Sequence, residues 1–206
     1  MLQSEFPYNI TVRCHNREWF ELPLDEVWQI LSEELAMACI LYELKVHSFI
    51  LMSNHFHLIA STPLANISEV LKRFLERTSK RLCERCGRVN GIWGSRNYKT
   101  ILGCYHYYLN AYKYNYFNPV KAGIVKRCED YRFSTLRAML GAERLLVPMA
   151  EDTALLTDPE EALKWLNEWP PEEHLAAIKA ALRKPQFEHV KNPMSRKPWL
   201  RETDVI

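Results

Sequence analysis

His55 and His57 flank Phe56 in the run FILMSNHFHLIA, residues 49–60, whose two apolar stretches break at Ser53-Asn54. Successive side chains of a strand point to opposite faces. His55 and His57 therefore share one face, while Phe56 and Leu58 pack on the other. Two imidazoles side by side on a strand can hold one divalent metal ion. The same pair can also be polar decoration of a half-buried strand, and an isolated His-x-His does not separate the two readings.

A second group lies downstream. Residues 104–117 read as a helix carrying six tyrosines, at 105, 107, 108, 112, 114 and 116. Tyr114 and Asn118 are four apart and share a helical face; Tyr107 and Ala111 lie on the same stripe. Most of these tyrosines suit packing, with the hydroxyl at water. A neutral phenol, with a pKa of about 10, is a weak nucleophile. Beside a metal-bound phosphate it becomes useful, because the ion neutralises phosphoryl oxygens and orients attack. Tyrosine can then form a covalent intermediate.

The elements that must position these residues can be read coarsely. Tyr8–Cys14 reads as a strand, followed by a polar turn at His15-Asn16-Arg17. The 3–4 spacing of Val27, Ile30, Leu31 and Leu35 predicts a helix from Leu24 to about Met37. Leu44–Met52 and His55–Ser61 read as a hairpin. Asn66 caps a long helix with Glu69 at the capping-box position; Ile67, Val70, Leu71, Phe74, Thr78 and Leu82 form its buried stripe. Trp93–Leu102 is partly strand-like. Asn118-Pro119 interrupts the tyrosine helix, since a residue before proline avoids the α region. Val120–Val125 resumes it, with Asn118 as cap and Pro119 in the first position. Asp158-Pro159-Glu160-Glu161 and Pro170-Pro171-Glu172-Glu173 start two short helices. This order suggests an α+β fold, an antiparallel sheet with helices on one face.

The chain has 206 residues and a formal net charge of +2. That is long enough for one generous domain with an appendage. No stretch approaches the ~20 apolar residues of a membrane span, and the opening MLQSEFPYNI lacks a basic start and an apolar signal core. A cytoplasmic location is expected. The scattered cysteines read as reduced thiols, and the lone Cys83-Glu-Arg-Cys86 as structural, since a zinc site needs further ligands. Charge is unevenly distributed. Residues 72–88 hold Lys72, Arg73, Arg77, Lys80, Arg81, Arg85 and Arg88 against Glu76 and Glu84, and residues 179–201 hold seven Lys/Arg against Glu188 alone. Such clusters suit a phosphate backbone, though a solvated helix face is the commoner cause.

Taken in order, Met52-Ser-Asn-His-Phe-His-Leu58, Gly91-Ile-Trp93, Arg96-Asn-Tyr-Lys99, Tyr114-Asn-Tyr-Phe-Asn-Pro-Val-Lys-Ala-Gly-Ile-Val125 and Tyr131-Arg-Phe-Ser134 resemble the single-tyrosine HUH transposases. Within these the chain looks most like the REP-associated tyrosine transposases. Thr11-Val-Arg13 with Asn16-Arg17 also fits. The resemblance covers about residues 6–140. Each piece is weak alone, but the ordered set is specific.

The resemblance implies a ferredoxin-like HUH nuclease fold, with an antiparallel four- to five-stranded sheet, over residues 1–141. A helical C-terminal extension with a basic tail, 142–206, follows it. It implies a metal-dependent endonuclease and strand-transferase that cuts single-stranded DNA beside small hairpins. His55 and His57 match the metal ligands. Tyr114 matches the nucleophile of the Tyr-x-x-x-Asn-Pro pattern, forming a 5′-phosphotyrosine and releasing a 3′-hydroxyl. Asn118 matches a polar residue that completes the metal shell, or it is the cap before Pro119. Imidazole and oxygen ligands also admit Zn²⁺; Mg²⁺ or Mn²⁺ comes from the family. Arg13, Arg17, Arg73, Arg77, Lys80, Arg81, Arg96 and Lys99 are candidate phosphate contacts, and Trp93 and Tyr98 candidate stacking rings. The protein is expected to act as a monomer or homodimer. Two other functions fit the same residues: a non-catalytic hairpin-DNA-binding protein domesticated from a transposase, and a metal-only phosphodiesterase using water.

Overall fold

Tyr8, Ile10 and Val12 alternate with Asn9, Thr11 and Arg13 along the first strand, and that alternation divides the molecule into two layers of helix. The computed structural model describes residues 2–152, 158–188 and 205–206. Its elements are β1 (Tyr8–Cys14), α1 (Leu24–Tyr42), β2 (Lys45–Met52), β3 (His55–Ser61), α2 (Ile67–Cys86), β4 (Trp93–Ile101), α3 (Tyr105–Lys121), the short α4 (Leu136–Met139), α5 (Pro159–Asn167) and α6 (Glu172–Ala181). The sheet is antiparallel with order β2-β3-β1-β4. The fold is α+β, with four strands.

One sheet face packs Ile10, Val12, Leu51, Phe56 and Leu58 under α1 and α2. α2 contributes Ile67, Val70, Leu71, Phe74 and Leu82, the apolar stripe its sequence spells. Each such side chain taken fully out of water contributes about 1.5–3 kcal/mol. The other face is covered too, which corrects the expectation of helices on one side only. There Ile50, Met52 and Ile59 meet Tyr112, Tyr116 and Phe117 of α3, Leu166 of α5, and Leu175 and Ile178 of α6. Residues beyond 142 thus share a core with α3. Both sheet edges are bonded over: Leu51 N donates to Phe133 O and Ala150 N to Val46 O beside β2, and Ile101 N donates to Pro185 O beside β4. Unpaired edge groups would otherwise invite another chain.

Two local expectations are corrected. Asn66 precedes α2 but makes no side-chain cap; its Nδ2 reaches the Tyr42 carbonyl at 3.4 Å. α3 does not break at Asn118-Pro119 but runs to Lys121. It ends where Gly123, at φ +70°, allows a left-handed turn, with Ile124 N bonded to Pro119 O and Gly123 N to Val120 O. That pair of bonds is a Schellman stop. Tertiary packing of Phe117 and Val120 outweighs the loss at proline. At α5 the expected cap is present: the Asp158 carboxylate accepts from Glu160 N and Glu161 N.

Candidate active site

β3 delivers both histidines to the face beneath α3. Its register sets His55 opposite Arg13 and Met52, and His57 opposite Thr11 and Ile50. The imidazole centroids lie 5.0 Å apart, with the rings nearly perpendicular. α3 brings the Tyr114 ring to 6.1 Å from that of His57, again edge to face. One turn on, Asn118 Nδ2 donates to the Tyr114 carbonyl at 2.8 Å, which commits the amide donor and leaves Oδ1 available to an ion. All four residues line an open cavity of ≈ 720 Å³.

A hydrogen bond to Asn54 sets the His55 tautomer, and one with Thr11 holds the His57 ring. Asn54 Nδ2 donates to the Arg17 carbonyl at 2.9 Å, so its Oδ1 is the atom 2.8 Å from His55 Nδ1. That oxygen can only accept. His55 Nδ1 therefore carries the proton and Nε2 the lone pair. His57 Nδ1 lies 3.0 Å from Thr11 Oγ1, while its buried Nε2 meets no hydrogen-bond partner among the described residues. A buried nitrogen without a partner costs free energy, and an ion at that atom would remove the cost. The residues thus fit a metal: two imidazole lone pairs braced from behind, with the Asn118 amide oxygen. No group of three or more His, Cys, Asp or Glu gathers among the described residues. The set brings no negative charge, so charge balance for the ion falls to its substrate.

Burial pushes the His55 pKa down to about 4, with Arg13 and Lys179 adding to it. Burial, then His55 and Arg13, hold His57 well below the ordinary value. Both rings are neutral at pH 7, as metal ligation requires. Burial raises the Tyr114 phenol, opposed by Arg183 and Arg13.

Arg13 and Arg17 line the cavity, and so do Lys121, Lys179 and Arg183. Arg73, Arg77, Lys80, Arg81 and Lys99 lie elsewhere. Arg77 is bonded through Nε and Nη2 to Glu34, and Arg81 to Glu33 and Glu34, on the α1–α2 layer. Lys80 lies 3.9 Å from Glu84, Arg73 borders a separate groove between α1 and α2, and Lys99 Nζ reaches Ser68 Oγ. Arg96 lies on β4, and its side chain is outside the described part of the structure. Trp93 is a core ring, edge-on to Phe56 and Phe20, whose Nε1 donates to Thr78 Oγ1; Tyr98 faces the cavity. Of the other α3 tyrosines, Tyr112 and Tyr116 are buried and Tyr107 stacks on Phe187. Sequence reading missed Thr11 and Asn54 as braces, and Lys121, Lys179 and Arg183 as wall residues. Lys121 alone had a local signal, three residues after Asn118 on the same helical face. The basic tail at 189–204 lies outside the described residues.

No protein-family model and no curated protein matches the chain. Among solved structures, a REP-associated tyrosine transposase bound to a REP hairpin matches with a TM-score of 0.59 at 23% identity, over 75% of this chain and 90% of that one. The likeness is one of fold. A chain from Deinococcus radiodurans R1 assigned as a transposase matches with a TM-score of 0.38 at 14% identity, over 57% of this chain and 84% of that one, an overlap too loose to add to it.

Proposed function

We propose that this chain is a REP-associated tyrosine transposase in kind: a metal-dependent endonuclease and strand-transferase acting on single-stranded DNA at hairpins. The observation that carries the reading is the convergence of Tyr114 with the His55–His57 pair in one cavity of one chain. The fold shared with a hairpin-bound transposase supports it. Because tyrosine and histidines come from one chain, a monomer suffices.

A Mg²⁺ or Mn²⁺ ion at His55 Nε2, His57 Nε2 and Asn118 Oδ1 would neutralise a phosphoryl oxygen and orient the phosphate. Tyr114 Oη then bonds to phosphorus as the bond to the 3′ oxygen breaks. The phenol gives up its proton and the 3′ oxygen ends as a hydroxyl, so protons balance. The 5′-phosphotyrosine keeps the phosphodiester energy for attack by another 3′-hydroxyl. Arg13 and Arg183 favour the phenolate, and Asn54 and Thr11 hold the imidazoles in place.

The test is incubation with hairpin DNA bearing single-stranded flanks and Mn²⁺. Wild type should give a denaturation-resistant protein–DNA adduct that Tyr114→Phe and chelation abolish. Cleavage without an adduct, tolerant of Tyr114→Phe, would mean a water-using phosphodiesterase. Binding that survives chelation without cleavage would mean a hairpin-binding protein.

A further inference from the structure

Two basic groups in this molecule differ in one respect. Those on and just after α2 are answered by acids: Arg77, Arg81, Arg85 and Arg88 pair with Glu34, Glu33, Glu26, Glu18 and Glu21. Those of the cavity are not. Among the described residues, Arg13, Arg17, Lys121, Lys179 and Arg183 form no ion pair with a carboxylate, and no Asp or Glu lines the cavity. They come from four segments, namely β1, the turn after it, the end of α3, and α6 with its exit. Like charges held together are unfavourable unless an anion joins them. The crowding registers at Lys179, whose pKa is lowered by burial and then by Arg183, Lys121, Arg13 and Arg17.

The wall from α6 is firmly built. Leu175, Ile178 and Leu182 bury one stripe of the helix in the core with α3. Lys179 on α6 and Arg183, two residues past its end, both line the cavity. The exit of the helix is bonded to β4: the Thr100 hydroxyl, wholly buried, lies 2.9 Å from Leu182 O and 2.8 Å from Lys184 O, and Phe187 N donates to Ile101 O. The backbone that carries both cations is therefore tied to the sheet that carries the histidines.

We infer that Lys179 and Arg183 of the C-terminal segment, with Lys121, Arg13 and Arg17, form a subsite for the phosphates flanking the one that faces Tyr114. A phosphodiester carries one negative charge, so five cations around one cavity match several consecutive phosphates, a polynucleotide strand rather than a mononucleotide. The inference rests on the DNA reading above and gives the last third of the chain a part in it.

The test is binding of a fluorescent oligothymidylate of about twenty nucleotides to the full chain in EDTA, across a salt series. Contacts to a single strand each contribute about 0.7 to the slope of log K against log salt. Lys179→Gln and Arg183→Gln should each flatten the slope by about that amount and weaken binding about three- to tenfold. Their double variant should flatten it by about twice as much. Arg85→Gln, whose partner is Glu26, should leave the slope unchanged. Urea unfolding of each variant separates misfolding from lost contacts, and Arg183→Lys should keep the slope. Slopes equal to wild type in both Gln variants, or no measurable binding by wild type, would overturn the inference. An adduct at Tyr114 with unchanged slopes would leave the nuclease reading standing and remove this one. Flattened slopes with no adduct would do the reverse.

Discussion

Asn54 is the most informative residue to change, because its one amide braces two parts of the site. Its Oδ1 accepts from His55 Nδ1 at 2.8 Å and its Nδ2 donates to the Arg17 carbonyl at 2.9 Å. Arg17 and its neighbour Asn16 sit at φ +62° and +51°, a left-handed turn that costs non-glycine residues about 1–2 kcal/mol each. Asn54→Ala deletes both side-chain bonds. Each contributes about 0.5–1.5 kcal/mol net, so stability should fall by about 1–3 kcal/mol. The turn keeps its backbone bonds from Cys14 N to Asn54 O and from Phe20 N to Ser53 O, so the fold survives. The metal should suffer more. Freed of its acceptor, His55 no longer has one tautomer enforced, and loss of such a brace costs about 10–100-fold in affinity. Asn54→Asp separates the two effects: its carboxylate still accepts from His55 but cannot donate to Arg17, so metal affinity should return while stability does not. Mn²⁺ titration by electron paramagnetic resonance and urea unfolding read the two quantities. Mn²⁺ affinity in Asn54→Ala within about twofold of wild type would refute the brace.

Two further outcomes follow from the charges. His55 has its pKa pushed down to about 4 in the folded protein against ~6.5 when unfolded, so the unfolded chain takes up the proton first as pH falls. Stability of the metal-free protein should be intact above about pH 6.5 and decline between there and pH 4, by at most about 3 kcal/mol from this group; urea unfolding in EDTA should show the decline, and His55→Asn should flatten it. Arg77→Ala should cost about 1 kcal/mol of stability, since its bond to Glu34 is half exposed and Arg81 remains on that carboxylate. It should leave the salt slope of DNA binding unchanged; a flattened slope would put phosphate on the α1–α2 layer.

How legible the site was depended on the range of the contacts that make it. The strand period alone puts His55 and His57 on one face, and helical spacing puts Tyr114 and Asn118 on another; both placements are local, and both appear in the structure. That the two faces meet was carried by an ordered resemblance rather than by spacing. The charges were not legible, because a basic helix looks alike whether it meets phosphate or protein. Arg81 finds Glu33 and Glu34 nearly fifty residues away, a pairing no local pattern reveals. Lys179 and Arg183 were part of an unassigned basic run for the same reason: the packing of α6 against α3 and β4 aims them inward. At Pro119 a local rule failed because packing around it kept the helix running to Lys121.

The proposed nucleophile is one tyrosine among the six of α3. The most direct measurement is mass-spectrometric mapping of the covalent adduct formed with hairpin DNA and Mn²⁺, after digestion of the protein and the DNA. The nucleotide-modified peptide should span residue 114, with the mass on the phenolic oxygen, and none should form in Tyr114→Phe. A modified Tyr107, Tyr98 or any other side chain, or an adduct that persists in Tyr114→Phe, would contradict Tyr114 as the nucleophile.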